Sequence, residues 1–265
     1  MLKTLTDEHV SELKRAKFLL ENPSVAARFA HTLANPIEKG MDILPVDAKE
    51  KIQVIAARSL EIALNTALQT MSDSQRSASN LAHKAATALS GAAGGAFGLA
   101  GLAVELPVST TIMLRSIADI ARSEGEQLHS KEAQIACLEV FALGGKVSND
   151  DAAESGYFGI RAALAGAVSE ALKHIATQNA FNQSSPALIR LISQIAARFS
   201  VPVTKKAAAQ AVPIIGATGG ALINTLFMNH FQNVALGHFM IRRLERIYDP
   251  IIVREAYEQL SPDEP

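Results

Sequence analysis

The chain has no tryptophan, a single cysteine, and aromatic residues at only 5% of its 265 positions. The lone Cys137 excludes an internal disulfide and suits a reducing compartment. With so few aromatic rings, a core must be assembled from Ala, Leu, Ile and Val, and its helices can approach closely. A formal net charge of -1 excludes the basic surface that nucleic-acid binding requires. β-Branched alternation is missing, so no segment reads as a strand. The stretch from Met1 to Ala30 is polar and lacks the unbroken apolar run of a secretory signal. The expected location is the cytoplasm or the cytoplasmic face of the inner membrane, not the exterior.

The motifs of familiar chemistry are also missing. There is no Gly-x-Ser-x-Gly, and neither Ser90 nor the run Ser109-Thr110-Thr111 has an adjacent His. Gly91 to Gly95 follows no strand and lacks Gly-Lys-Ser, which excludes a phosphate loop. His-Glu-x-x-His and cysteine clusters are absent. Glu126-x-x-His129 stands alone where a di-iron bundle needs two such pairs, and Glu170 with His174 likewise lacks partners. No metal and no cofactor are expected.

What is present is helical. Hydrophobic residues make up 48% of the chain, and they recur at intervals of three and four. Thr6 predicts the cap of a first helix carrying Val10, Leu13, Lys17 and Leu20 on one side. Asn22-Pro23 restarts a helix that Asn35-Pro36 ends. Asp47 with Glu50 resembles a capping box and opens a helix through Leu68. Ser72 to Ser79 reads as a turn. Ser130 caps a helix that Gly144-Gly145 ends, and Ser148 with Asp151 starts another running to about Asn179. Turns are predicted at Asn182 to Pro186 and at Ser200-Val201-Pro202, and the last long helix stops near Asp249-Pro250. The predicted fold class is all-α: one domain over 1–265, with an N-terminal arm (1–45) and a frayed tail (261–265).

Two segments resemble each other. Gly91-Ala92-Ala93-Gly94-Gly95-Ala96 returns as Gly216-Ala217-Thr218-Gly219-Gly220-Ala221, and each leads into a basic helix, Met113 to Ile117 and Met240 to Leu244. The units, 84–124 and 206–247, form a pseudo-repeat of two Gly/Ala-rich apolar hairpins. Gly91, Gly94, Gly95, Gly98 and Gly101 make one bare helical stripe, echoed by Gly216, Gly219 and Gly220. Each mid-helix Gly costs about 1 kcal/mol relative to Ala, so such stripes are expected to receive a close neighbour. Glu105 is the one formal charge from Ala85 to Leu114, and none occurs from Ala207 to Met228. Pro107 and Pro213 are predicted to divide these runs into pieces too short to span a bilayer. Lys84, Arg115, Lys205, Lys206, Arg242 and Arg243 border them, where long basic side chains could reach lipid headgroups.

At these residues the chain resembles the bacterial EcsC family. The resemblance rests on Gly94 to Gly101, Glu105 to Thr111 and Leu114 to Arg122, and on Ala211 to Ala217, Asn224 to Phe227, His238-Phe239 and Arg242 to Glu245. It covers about residues 45 to 250. The family takes its name from the third member of an operon encoding an ABC exporter. The resemblance implies an all-helical bacterial protein associated with a membrane, and no settled activity, although some members are labelled peptidase or hydrolase.

The candidate acid is Glu105, expected at the start of the helix after Pro107, where free N–H groups and the helix dipole favour a carboxylate. Its alternative is a buried acid with a raised pKa, paired with Arg115, Arg242 or His230. Arg115, Asp119 and Arg122 form a ladder that is either solvated or binds an anion. Asn224, His230, His238, Arg242 and Arg243 complete the candidates, and Cys137 reads as core. Three functions follow. The first is an interaction protein touching membrane lipid or a membrane protein through the hairpins. The second is a hydrolase between the repeats, using Glu105 with His230 or His238. The third is a helical scaffold whose glycines only allow tight packing. Oligomeric state has no signature in the sequence.

Overall fold

Local signals start most of the helices. Thr6 Oγ1 accepts from the His9 amide at 3.3 Å and opens α1 (Asp7–Glu21). A short helical segment at 37–43 leads to α2 (Ala48–Ala67), which begins directly after Asp47. Helix α3 (Gly98–Ser123) turns back at Gly125, whose φ of 83° is the left-handed value that favours glycine. Ser130 Oγ then accepts from the Ala133 amide at 3.1 Å and caps α4 (Lys131–Leu143). The chain continues through α5 (Tyr157–Gln178), α6 (Pro186–Ala211) and α7 (Gly216–Ile247). Asp249 caps α8 (Pro250–Gln259), with Pro250 in its first turn. The computed structural model describes residues 5–21, 37–67, 98–145, 156–178, 185–211 and 216–261. Among them there is no strand, and the fold is an all-α bundle. Asn22-Pro23, Asn35-Pro36, Ser72 to Ser79, Ser148 with Asp151, and Pro213 lie outside the described residues, as do Gly91, Gly94 and Gly95.

Two prolines do not break their helices as expected. Pro107 lies inside α3 and Pro202 inside α6. A helical proline leaves the carbonyl four residues earlier without its N–H partner. For Pro107 that residue is Ala103, which faces solvent, so water can serve the carbonyl. For Pro202 it is Arg198, whose carbonyl meets the backbone of Gly145; a Cβ on Gly145 would lie 2.2 Å from that oxygen. Ser200 and Thr204 hydroxyls donate to the Ala197 and Ser200 carbonyls on the same turns, both at 2.8 Å. The predicted turn at Ser200 to Pro202 is therefore replaced by one continuous helix.

Helix α7 is the longest and packs against α1, α3, α4, α6 and α8, while α2 packs against α3 and α6. Four of the ten phenylalanines, Phe141, Phe199, Phe227 and Phe231, stack where α4, α6 and α7 meet, with ring centroids 4.9 to 6.1 Å apart. Elsewhere the core is mostly Ala, Leu, Ile and Val, with Tyr157, Phe239, Tyr248 and Tyr257 on the α1, α5 and α8 side. Gly237 admits α1 against α7: a Cβ there would lie 2.7 Å from Leu20 Cγ and 2.9 Å from the Ala16 carbonyl. Gly166 on α5 faces open space.

These two glycines give opposite expectations. Gly237→Ala should lower stability by about 1–3 kcal/mol by forcing α1 away. Gly166→Ala should raise it by about 0.4–1 kcal/mol by restricting the unfolded chain. Thermal unfolding of both variants checks the pair; a shift of the same sign in both would contradict the packing described.

Candidate functional site

Glu105 is buried, as are the candidates Asn224 and His238. Because Pro107 does not end a helix, Glu105 sits in the body of α3 and not at a helix start. Both its oxygens accept from Lys206 Nζ on α6, at 3.0 and 2.8 Å, and Oε1 also accepts from Asn224 Nδ2 on α7 at 2.8 Å. The side chains of Lys206 and Glu105 are 0% and 3% exposed. The ammonium also lies 4.9 Å from the centre of the Phe227 ring. Burial alone pushes the Glu105 carboxyl up, but the Lys206 charge and the hydrogen bonds from Lys206, Asn224 and Ser109 outweigh it and hold it below the usual range. Glu105 is thus a carboxylate in a three-helix ionic tie. Its partner is Lys206, and not Arg115, Arg242 or His230. A side chain so enclosed cannot reach a headgroup, which corrects the expectation for Lys206; Lys205 beside it is exposed.

The basic residues at the other end of α7 are also engaged. Arg242 grips Glu126 with two bonds, 2.8 and 3.3 Å, and Arg246 binds the same carboxylate. Arg243 reaches Glu124 at 2.8 Å and Glu12 at 2.9 Å. These contacts fasten the α3–α4 turn and α1 to α7, so Glu126 serves arginines and not a metal. Asp119 pairs with Arg122 in a largely buried contact and not on a solvated ladder, and Arg115 is half-buried and not free. Among the described residues no group of three or more His, Cys, Asp or Glu could hold a metal ion.

The histidines stand apart from Glu105. His230 Nε2 donates to the Gly144 carbonyl at 2.7 Å, a bond that closes α4. His238 is fully buried, with Nδ1 2.9 Å from the Tyr157 hydroxyl. Arg161 donates to that phenol oxygen at 3.2 Å and forms a two-pronged pair with Glu245 at 2.7 and 3.1 Å. The phenol and Nδ1 share one hydrogen bond, and Nε2 finds no partner among the described residues. Asn224 and His238 lie about 21 Å apart along α7 at about 1.5 Å per residue. The residues of the hydrolase reading do not converge.

The Tyr157, Arg161, Glu245 and Glu139 surroundings of His238 were not legible as a set, since three helices supply them. Glu139 had one signal, an acid inside the apolar stretch from Ile135 to Leu143 of α4, and burial raises its carboxyl despite Arg161 and Arg242 nearby. Lys206 had a clearer one: Phe199, Pro202, Val203 and Lys206 follow helical spacing on a single buried face. Burial pushes the Cys137 thiol up and keeps it inert. Of the glycines, Gly101 and Gly220 are buried in the opening turns of α3 and α7, while Gly98, Gly216 and Gly219 are placed by backbone alone.

Fold and contacts define a helical bundle held at two levels by ionic ties, one fully buried and one partly exposed. The chain belongs to the EcsC protein family, whose model matches residues 8–244. That match reaches further toward the N-terminus than the motifs noted in the sequence and includes α1. No curated protein and no solved structure matches the chain.

His238 gives the site a pH dependence. Burial, then Arg161 and Arg242, hold it well below its ordinary 6.5, so it is neutral in the fold. The unfolded chain takes up this proton near pH 6.5 and the folded chain does not, so acidification below that value favours unfolding. Glu139 contributes with opposite sign, because folding raises its affinity for a proton. Replacing one residue isolates its part. Denaturant unfolding of His238→Gln should lose less stability between pH 6.5 and about pH 5 than wild type, by up to about 1.4 kcal/mol per pH unit. Equal slopes in the two proteins would refute a neutral buried His238.

Proposed function

We propose that this protein docks on membrane lipid from the cytoplasmic side, through the end at which α3 and α7 begin. The observation that carries the reading is an outward apolar face on the turns that hold the Glu105 tie. Val104 is 74% exposed, Val108 48% and Leu222 49%. Met41, Ile43 and Val46 are also exposed, and Gly40 in that segment abuts the Ala208 backbone, two residues beyond Lys206. Six of the eleven exposed large hydrophobic side chains among the described residues lie on these segments, and such groups favour a lipid or protein partner. Peripheral contact fits better than spanning, because among the described residues no helix is long and apolar enough to cross a membrane.

The chemistry of the contact is apolar. Lys206 is spent on Glu105, while Arg242, Arg243 and Arg246 are tied to glutamates at the far end of α7. Docking should therefore depend on exposed aliphatic side chains more than on anionic headgroups. An ABC exporter as neighbour in the membrane is a further part of this reading, resting on the family resemblance alone.

Flotation with vesicles tests the reading. Wild type should float with zwitterionic vesicles nearly as well as with vesicles containing anionic lipid. Val104→Glu combined with Val108→Glu should remain in the soluble fraction with an unchanged helical circular-dichroism spectrum, since both positions are exposed. Wild type that stays soluble with both compositions would reject the proposal.

A further inference from the structure

The ionic tie and the apolar face occupy the same helical turns. Val104 and Val108 flank Glu105 on α3, and Leu222 precedes Asn224 by two residues on α7. Around the tie small and large apolar side chains are mixed. Lys206 is followed by buried Ala207, Ala208 and Ala209, and α3 and α7 open with glycines, while Leu102, Leu106, Ile223 and Phe227 are buried beside it. Ridges seated in grooves help to fix a crossing, and the alanines of α6 offer few of them. The bridge adds direction: one ammonium on both carboxylate oxygens, and one amide on Oε1.

A buried ion pair differs from an oily plug in one further respect. Both ions give up hydration when the helices close and recover it when they part. An apolar plug of equal volume recovers nothing and is itself exposed on opening. The pair therefore fixes one closed arrangement while lowering the cost of leaving it.

We propose that the Glu105–Lys206–Asn224 bridge is a latch: closed, it holds the first turns of α3 and α7 against α6, and released, it lets this end open onto a lipid surface. This rests on the membrane-docking reading and adds its regulation. The latch makes two substitutions act in opposite directions. Glu105→Gln strands the Lys206 ammonium beside a neutral amide and should unlatch the end. Glu105→Leu with Lys206→Met fills the same space without charge and should shut it more firmly.

Two measurements separate the latch from the docking it controls. In lipid-free protein, amide exchange over 98–110 and 216–228 should rise about tenfold or more in Glu105→Gln, and should stay level or fall in the double variant. With zwitterionic vesicles, flotation should exceed wild type for Glu105→Gln and drop below it for the double variant. Exchange that rises equally along the whole chain, or flotation that moves in the same direction in both variants, overturns the latch. So does unchanged flotation in both, where Val104→Glu with Val108→Glu still abolishes binding; docking then survives alone. If none of these proteins floats, docking fails, and opposite exchange shifts at this end still support the latch while their absence overturns it. If Glu105→Gln does not fold, the double variant decides: flotation below wild type supports the latch, and flotation equal to or above it overturns it.

Discussion

The arrangement of α3, α6 and α7 depends on burying one ammonium against one carboxylate. Around the pair lie small side chains, Ala207 to Ala209, and large ones, Leu102, Leu106, Ile223 and Phe227. Apolar burial is non-directional, whereas the bridge fixes which atoms meet. Removing one partner of a buried pair typically costs about 3–5 kcal/mol, because a charge is left without compensation. Replacing both by apolar groups is often neutral. The tie is thus better understood as a specifier of arrangement than as a source of stability.

The second ionic level has a different task. Arg242, Arg243 and Arg246 gather Glu126, Glu124 and Glu12, and so join α1 and the α3–α4 turn to the C-terminal half of α7. Between the two levels lies the aromatic stack of Phe141, Phe199, Phe227 and Phe231. At the α5 side, His238, Tyr157, Arg161 and Glu245 form a closed network beside Tyr257, whose backbone carbonyl accepts from Lys17 on α1. The far half of the bundle is therefore cross-linked by polar contacts and aromatic packing. The near half has one buried bridge within apolar packing, and Val104, Val108 and Leu222 are exposed on it.

Much of the fold was legible because helix caps and helical spacing are local. Thr6, Ser130, Gly144-Gly145 and Asp249-Pro250 mark boundaries that the structure keeps. Pro107 and Pro202 lie within continuous helices because tertiary surroundings decide whether a proline stops a helix: the turn at Ala103 faces solvent, and the turn at Arg198 packs closely on the Gly145 backbone. The site was legible in its members more than in its pairing. Glu105 and Asn224 stood out and do meet, but Lys206 was read as a border residue like Lys205, although helical spacing with Phe199 and Val203 turns it inward. The sequence assigns the arginines of α7 to headgroups, or Arg242 to Glu105, because the glutamates that hold them lie more than a hundred residues away in sequence.

The most direct test is the separation of α3 from α6 in the presence and absence of lipid. Spin labels at positions 104 and 205, in a chain with Cys137→Ala, report it by pulsed dipolar spectroscopy. The account predicts one narrow distance in solution and a longer, broader distribution on vesicles. The same narrow distance in both conditions, with the labelled protein bound to the vesicles, would contradict an end that opens onto lipid.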